Sequence, residues 1–319
     1  MALRIAVLDD YQKVGRTMAD WSKVEAADEV VFFHDHLADP AKVIERLQPF
    51  DVVCIMRERT PFPKAVIDAL PNLKLLCTTG MRNASVDTKA LAARQIPMCG
   101  TGGSVSATAE LAWGLTLGLL RHIAPEDRGM RAGGWQTTVG RGVMGKTIGV
   151  LGLGKLGGMF AKVATAFGAD VIAWSANLTA ERAAAGGATL VTKDALFARS
   201  DVISIHLVLS DRSRGLVGAA DLARMKPTAL LINTSRGPIV DGAALIDALE
   251  KKRIAGAGLD VYDEEPLPAS HKLRTLDNVL LTPHLGYVTE ETFRAFYGET
   301  VENILAWKAG KPVRVIAPA

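Results

Sequence analysis

Short apolar runs alternate with amphipathic stretches along nearly the whole chain. In the first third the runs are "RIAVLDD", "EVVFFH", "DVVCIM", "LKLLCTTG" and "IPMCGT", with helical segments such as "AKVIERLQ" and "DTKALAARQ" between them. The middle repeats the rhythm with "TIGVLGL", "VIAWS", "DVISIHL", "ALLINTS", "AGAGLDV" and "NVLLTP". Continuous apolar strands separated by helices predict parallel sheets covered on both faces, and hence an α/β protein. Two sets of strands predict two domains, one over residues 1–100 and one over 101–286. A last helix, from about Glu290 to Lys308, places Phe293, Phe296, Tyr297, Val301, Ile304 and Leu305 on one stripe. No predicted strand follows it, so residues 287–319 are expected to return to the first domain. That leaves two chain crossings and a cleft between the domains.

Composition narrows the possibilities. Among 319 residues, 49% are hydrophobic and 22% charged, as in ordinary globular proteins. A net charge of +3 without any Lys/Arg-rich run argues against nucleic acid as a partner. The run Leu111 to Leu120, closed by Glu110 and Arg121, is about half of what a bilayer requires, so no membrane span is expected. "MALRIAVLDD" meets two acids before any signal-like core forms. Cys54, Cys77 and Cys99 sit apart in apolar surroundings and read as buried reduced thiols, which suits a cytoplasmic protein.

The stretch "GRGVMGKTIGVLGLGKLGG" fits two nucleotide-binding patterns. Gly140 to Thr147 reads G-x-x-x-x-G-K-T, a triphosphate loop, while Gly152, Gly154 and Gly157 read G-x-G-x-x-G, a dinucleotide turn. A phosphate loop needs a strand before it and a helix after it, so that amides point at the phosphates. Around Gly140 the order is reversed: "GGWQTTV" is a poor strand, and Lys146 and Thr147 open a good one, with their amides expected in the sheet. The same objection removes the match of Gly140, Gly142 and Gly145 to the second pattern. Gly152–Gly157 has the right context, with "TIGVLGL" before and "KLGGMFAKVATAFG" after, a helix expected to carry Leu156, Phe160, Val163 and Phe167 on one face. Gly152 would permit the tight turn, Gly154 the approach of pyrophosphate, and Gly157 close helix packing. At the end of the next strand, where Asp or Glu usually grips the ribose, stands Ser175, with Arg182 the nearest cation. The choice between NAD and NADP stays open.

Three later stretches lie at or beyond strand ends, where ligands gather in open α/β sheets. They are "INTSRGPIVD" with Arg236, "GAGLDVYDEEPLP" with Glu265, and "LTPHLGY" with His284. With "LPNLKLLCTTG" and "GKTIGVLGLGKLG", they give the chain a resemblance to the D-isomer-specific 2-hydroxyacid dehydrogenase family over almost its whole length. The resemblance implies a dinucleotide-binding Rossmann domain, a discontinuous flavodoxin-like substrate domain, a homodimer, and a catalytic Arg, Glu and His, here Arg236, Glu265 and His284. It also implies backbone amides of Lys155 and Leu156 below the pyrophosphate, Thr234, Ser235 and Asp260 near the nicotinamide end, and Gly286 allowing close approach to the ring. "TTGMRNASVD" matches the loop that holds the substrate carboxylate, which marks Met81 and Arg82, and Arg57 in "IMRERT" matches a position facing the cleft. No metal ion enters this reading.

The residue types suit reversible hydride transfer between NAD(P) and a small 2-hydroxy or 2-oxo acid. An imidazolium donates a proton to the oxygen that gains charge as hydride arrives, and its neutral form recovers the proton in oxidation. A carboxylate on the other ring nitrogen would orient the imidazole and stabilise its charged form. A guanidinium presents a planar fork to the substrate carboxylate and carbonyl oxygen. The chain departs from the family pattern at Arg82, commonly Gly, at Ala84, commonly Asp, and at Val208, usually Pro, so the substrate cannot be borrowed from a relative. A formate dehydrogenase would carry Gln in place of Glu265. The alternative from another class is a non-catalytic, dinucleotide-sensing scaffold of the same fold.

Overall fold

The computed structural model describes residues 2–104 and 106–318. The chain divides into two compact units, Met1–Ser104 with Val288–Ala319, and Val105–Tyr287.

In the first unit, five strands form a wholly parallel sheet: β1 (Arg4–Val7), β2 (Glu29–Phe32), β3 (Val52–Ile55), β4 (Leu75–Thr78) and β5 (Met98–Cys99). Their order is β2-β1-β3-β4-β5, so the chain reverses direction across the sheet between β1 and β3. Strands β3 and β4 are buried along their whole length, as expected of central parallel strands. Cys54 pairs in register with Cys77, and Cys77 with Cys99, and all three are buried free thiols. The helix Glu290–Lys308 belongs to this unit and buries Phe293, Phe296, Tyr297, Val301 and Ile304, while Leu305 is only half-buried.

The second unit holds seven parallel strands: β6 (Thr147–Leu151), β7 (Asp170–Trp174), β8 (Thr189–Leu190), β9 (Val202–Ile205), β10 (Leu230–Asn233), β11 (Gly256–Leu259) and β12 (Val279–Leu281). Their order is β12-β11-β10-β9-β6-β7-β8, with the reversal between β6 and β9. β8 is the strand that patterning missed, since it is two residues at the sheet edge, with Thr189 exposed and no apolar run around it. The apolar helix Ala107–Leu120 spans too few residues to cross a membrane, and among the described residues no helix is long and apolar enough to do so. It lies on this sheet instead, with Trp113 stacked on Phe160 at 4.6 Å between ring centroids.

Two local expectations are corrected. The helix after β6, Lys155–Ala166, buries Gly157, Phe160, Ala161 and Ala164, whereas Val163 and Phe167 are 39% and 42% exposed. Small side chains let this helix approach the sheet closely, so the buried stripe runs through Gly157, Ala161 and Ala164 beside Phe160 rather than through Val163 and Phe167. The amides of Lys146 and Thr147 are committed, but not to the ladder. Lys146 N–H donates to the Val143 carbonyl at 3.0 Å, and Thr147 N–H to Asp201 Oδ2 at 2.9 Å.

Candidate active site

The turn Gly152–Gly157 leaves β6 and enters the helix Lys155–Ala166. Gly152 takes a left-handed φ of +101°, and a Cβ there would lie 2.8 Å from the His206 carbonyl oxygen. A Cβ on Gly157 would stand 2.1 Å from the Gly152 carbonyl oxygen, so only glycine permits the helix to sit this close. Gly154, the N-cap, differs: among the described residues nothing lies within 4 Å of its Cβ direction, and no side chain caps the helix. The first amides of this helix, at Lys155 and Leu156, have no acceptor in a preceding turn, as at every helix N-terminus, which makes a ready site for anionic phosphate. This cradle fits a dinucleotide pyrophosphate.

Other positions singled out from the sequence distribute around the second sheet. Ser175 follows β7 directly and is half-buried, with its carbonyl oxygen accepting from Leu178 N–H at 3.1 Å. Arg182 is exposed and donates to the Asn177 carbonyl at 3.2 Å. Beyond β10, the buried hydroxyl of Thr234 has no hydrogen-bond partner among the described residues. A buried polar oxygen left without a partner is rare and suits a site completed by a ligand. Ser235, by contrast, spends its hydroxyl on the Ile205 carbonyl at 2.7 Å.

Glu265 and His284 come together. His284 Nδ1 lies 2.5 Å from Glu265 Oε2, while Glu265 Oε1 accepts from Tyr262 N–H at 2.8 Å. Burial pushes the Glu265 carboxyl up, but His284, the Tyr262 amide and the Arg236 charge more than offset it, so it titrates below its ordinary value. His284 adopts a left-handed φ of 54°, uncommon for a residue with a Cβ. Its Nε2 makes no hydrogen bond among the described residues.

Asp260 organises the backbone around that histidine. Its Oδ1 accepts from the Thr282 hydroxyl at 2.6 Å and Leu285 N–H at 2.7 Å, and its Oδ2 from Gly286 N–H at 2.8 Å. Burial raises its pKa, although these hydrogen bonds and the charge of His284 pull the other way. Tyr262 supports the same loop, its hydroxyl donating toward the Leu259 and Thr282 carbonyls at 3.1 and 2.9 Å. Gly286 does not face open space: a Cβ would meet Asp260 Oδ2 at 3.1 Å and Thr108 Oγ1 at 3.2 Å. Its smallness serves this packing.

Arg236 is set by the turn after β10, donating to the Ser235 carbonyl at 2.7 Å. Asn233, buried at the end of β10, donates to the Arg236 carbonyl at 3.0 Å and accepts from Ser235 N–H at 3.0 Å. Patterning did not single out Asn233, Tyr262 or Thr282. Only Asn233 left a trace, as a polar residue closing an apolar strand.

In the first unit, Arg57 has a left-handed φ of 52° and its guanidinium overlies Gly80, where a Cβ would lie 1.8 Å from Nη1. Met81 and Arg82 follow on an exposed bend, and their amides donate to nothing among the described residues. The Gly80 amide is not open, since it donates to Thr101 Oγ1 at 2.8 Å.

Known proteins share this organisation. Residues 113–286 match the model of the D-isomer specific 2-hydroxyacid dehydrogenase, NAD binding domain. The chain is 36% identical over 277 residues to a D-3-phosphoglycerate dehydrogenase of Synechocystis sp., a match covering 86% of this chain but 50% of that protein's length. It is 33% identical over 300 residues to a glyoxylate reductase of Korarchaeum cryptofilum, covering 91% of this chain and 90% of that one. The crystal structure of a phosphoglycerate oxidoreductase from Vibrio cholerae superposes with a TM-score of 0.92 at 35% identity, over 97% of this chain and 99% of that one. With the dinucleotide turn and the Arg236, Glu265 and His284 stretches in the family's order, the chain belongs to the D-isomer-specific 2-hydroxyacid dehydrogenase family.

Proposed function

We propose that this protein catalyses reversible hydride transfer between NAD or NADP and a small D-2-hydroxy acid or its 2-oxo acid. The observation that carries the reading is the His284–Glu265 contact of 2.5 Å. With Nδ1 engaged, Nε2 is the ring nitrogen that remains to exchange a proton with substrate. Glu265 orients the ring and stabilises the imidazolium that reduction requires. Arg236 presents its fork to the substrate carboxylate and carbonyl oxygen. The bound nicotinamide supplies the hydride acceptor or donor. Gly152, Gly154, Lys155, Leu156 and Gly157 would hold its pyrophosphate, Ser175 would face the ribose whose 2′-position distinguishes NAD from NADP, Thr234 and Ser235 would lie near the nicotinamide ribose and carboxamide, and Gly286 beside the ring. Asp260 has both oxygens taken, so it contributes mainly by holding Leu285 and Gly286 beside His284. Arg57, Met81 and Arg82 are assigned to the substrate.

The same reading includes a homodimer. Ile123, Met130, Trp135, Val139 and Met144 expose apolar surface within one stretch of the second unit, Trp135 by 73% and Val139 by 92%. Surface of this kind supports burial against a second copy. Sedimentation at micromolar concentration tests it, and a monomer would remove that element.

The central experiment measures turnover of glyoxylate, hydroxypyruvate, pyruvate and bulkier 2-oxo acids with NADH and NADPH, for wild type and His284→Ala. At least one acid should turn over, with kcat falling about a hundredfold or more in the variant, the scale of a lost general acid. Cofactor affinity without turnover of any 2-oxo acid favours a dinucleotide-sensing scaffold instead. Near-normal turnover in His284→Ala removes the histidine from its role.

A further inference from the structure

The first sheet has its own reversal point between β1 and β3, and ligands of open α/β sheets bind outside the carboxyl ends of strands at such points. Two non-glycine residues with left-handed backbone flank it: Asp9 after β1, φ 58°, and Arg57 after β3, φ 52°. Such conformations cost about 1 kcal/mol or more and persist only where surrounding bonds enforce them.

Arg57 is enforced from the β4 side. Its N–H donates to Thr79 Oγ1 at 2.9 Å, its guanidinium to the Thr79 carbonyl at 3.2 Å, and its carbonyl accepts from Asn83 Nδ2 at 2.6 Å. The rest of the loop is enforced from the β1 side, by Asp9. The Thr60 hydroxyl donates to Asp9 Oδ2 at 2.7 Å, and Arg59 Nη1 donates to the Asp9 carbonyl at 2.8 Å. Arg59 also lies over the Tyr11 ring at 4.4 Å. Asp9 Oδ1 meets His36 Nδ1 at 3.0 Å and the Tyr11 hydroxyl at 3.3 Å, so a carboxylate only 1% exposed has partners on both oxygens. The segment Arg57–Thr60 is thus a strap across the end of β3, pinned at one end by Thr79 and Asn83 and at the other by Asp9.

We infer that Asp9 is a positioning residue for substrate binding: through Thr60 and Arg59 it sets the strap that aims the Arg57 guanidinium. The inference rests on the proposed dehydrogenase reading, in which Arg57 meets the substrate. Because Asp9 and Thr60 lie in the first unit, and the dinucleotide turn in the second, loss of the clamp should raise KM for the 2-oxo acid without weakening the cofactor.

The test is Thr60→Val, which removes the hydroxyl and keeps the shape, beside Thr60→Ser, which keeps the hydroxyl. With the best acid of the panel above, Thr60→Val should raise KM about tenfold, the scale of one lost hydrogen bond to a charged group, with kcat within about twofold and NADH Kd unchanged. Thr60→Ser should stay near wild type. In an Arg57→Met background, Thr60→Val should add nothing, because the clamp acts through Arg57. Should Thr60→Val not fold, Asp9→Asn reads the same contact, since one amide oxygen cannot accept from every donor the carboxylate serves, and it too should raise KM. Unchanged KM in a folded variant, or a full additional effect in the Arg57→Met background, overturns the clamp while leaving the dehydrogenase reading intact. Wild-type protein inactive on every 2-oxo acid overturns both.

Discussion

Gly157 stands so close to Gly152 that a methyl group on the first would lie 2.1 Å from the carbonyl oxygen of the second. Both partners belong to backbone, so neither can swing away. Gly157→Ala should therefore lever the helix Lys155–Ala166 off its strand, costing about 1–3 kcal/mol of stability and weakening cofactor binding together. Gly154→Ala makes the contrast. Its Cβ meets nothing within 4 Å and its φ of −86° suits any residue, so Tm should hold while NAD(P)H affinity falls. Titration of both variants by cofactor fluorescence, with melting curves alongside, checks the pair; unaltered affinity in Gly154→Ala would place the pyrophosphate elsewhere.

The Glu265–His284 contact predicts a pH effect with a definite sign. Glu265 titrates below its ordinary value, so it stays ionised throughout the neutral range and favours the imidazolium. Glu265→Gln removes that charge, and the fall in reduction rate at high pH should begin at lower pH than in wild type. An unshifted kcat/KM profile would show that the contact does not govern proton transfer.

A second histidine makes a prediction about stability. His206 follows β9, with Nε2 2.9 Å from Ser204 Oγ and Nδ1 buried without a partner among the described residues. Burial pushes its pKa down to about 4, against about 6.5 for an exposed imidazole. The unfolded chain then binds the extra proton first as pH falls. The stability is complete above about pH 6.5 and is lost between there and about pH 4, by at most about 3 kcal/mol. His206→Gln should flatten the dependence of Tm on pH across this window, and an equally steep curve in the variant would exclude His206 as its source.

At the ribose end, Ser175 directly follows β7 and offers no negative charge. Ser175→Asp should weaken NADPH relative to NADH by about tenfold or more, since a carboxylate repels a 2′-phosphate and grips a 2′-hydroxyl. Parallel Kd measurements for the two cofactors decide it, and a constant ratio would move the ribose pocket away from Ser175.

Much of this was legible from residues alone. Apolar runs located eleven of the twelve strands among the described residues, because a parallel sheet buries both faces of its strands and leaves no polar alternation. The triphosphate match at Gly140–Thr147 could be set aside because the order of strand and helix is itself written in the pattern. The helix Lys155–Ala166 was harder. Hydrophobic period chose Val163 and Phe167 as inward-facing, yet closeness of approach selected Gly157, Ala161 and Ala164. Period records which residues prefer burial, not how near two backbones come.

By itself, then, the sequence determined the α/β class, the dinucleotide turn and the residue types able to exchange a proton and hold a carboxylate. Those properties are local, carried by side-chain hydrophobicity, glycine spacing and ionisable groups. Only the tertiary structure decided that Asp260 turns both oxygens to the loop bearing His284, that Gly286 packs on Asp260 and Thr108, and that Asp9 reaches Thr60 across the first sheet. Each of these joins residues at least 25 positions apart through buried or part-buried hydrogen bonds or packing. Parallel strand order brings such partners together, and no window of sequence contains that information.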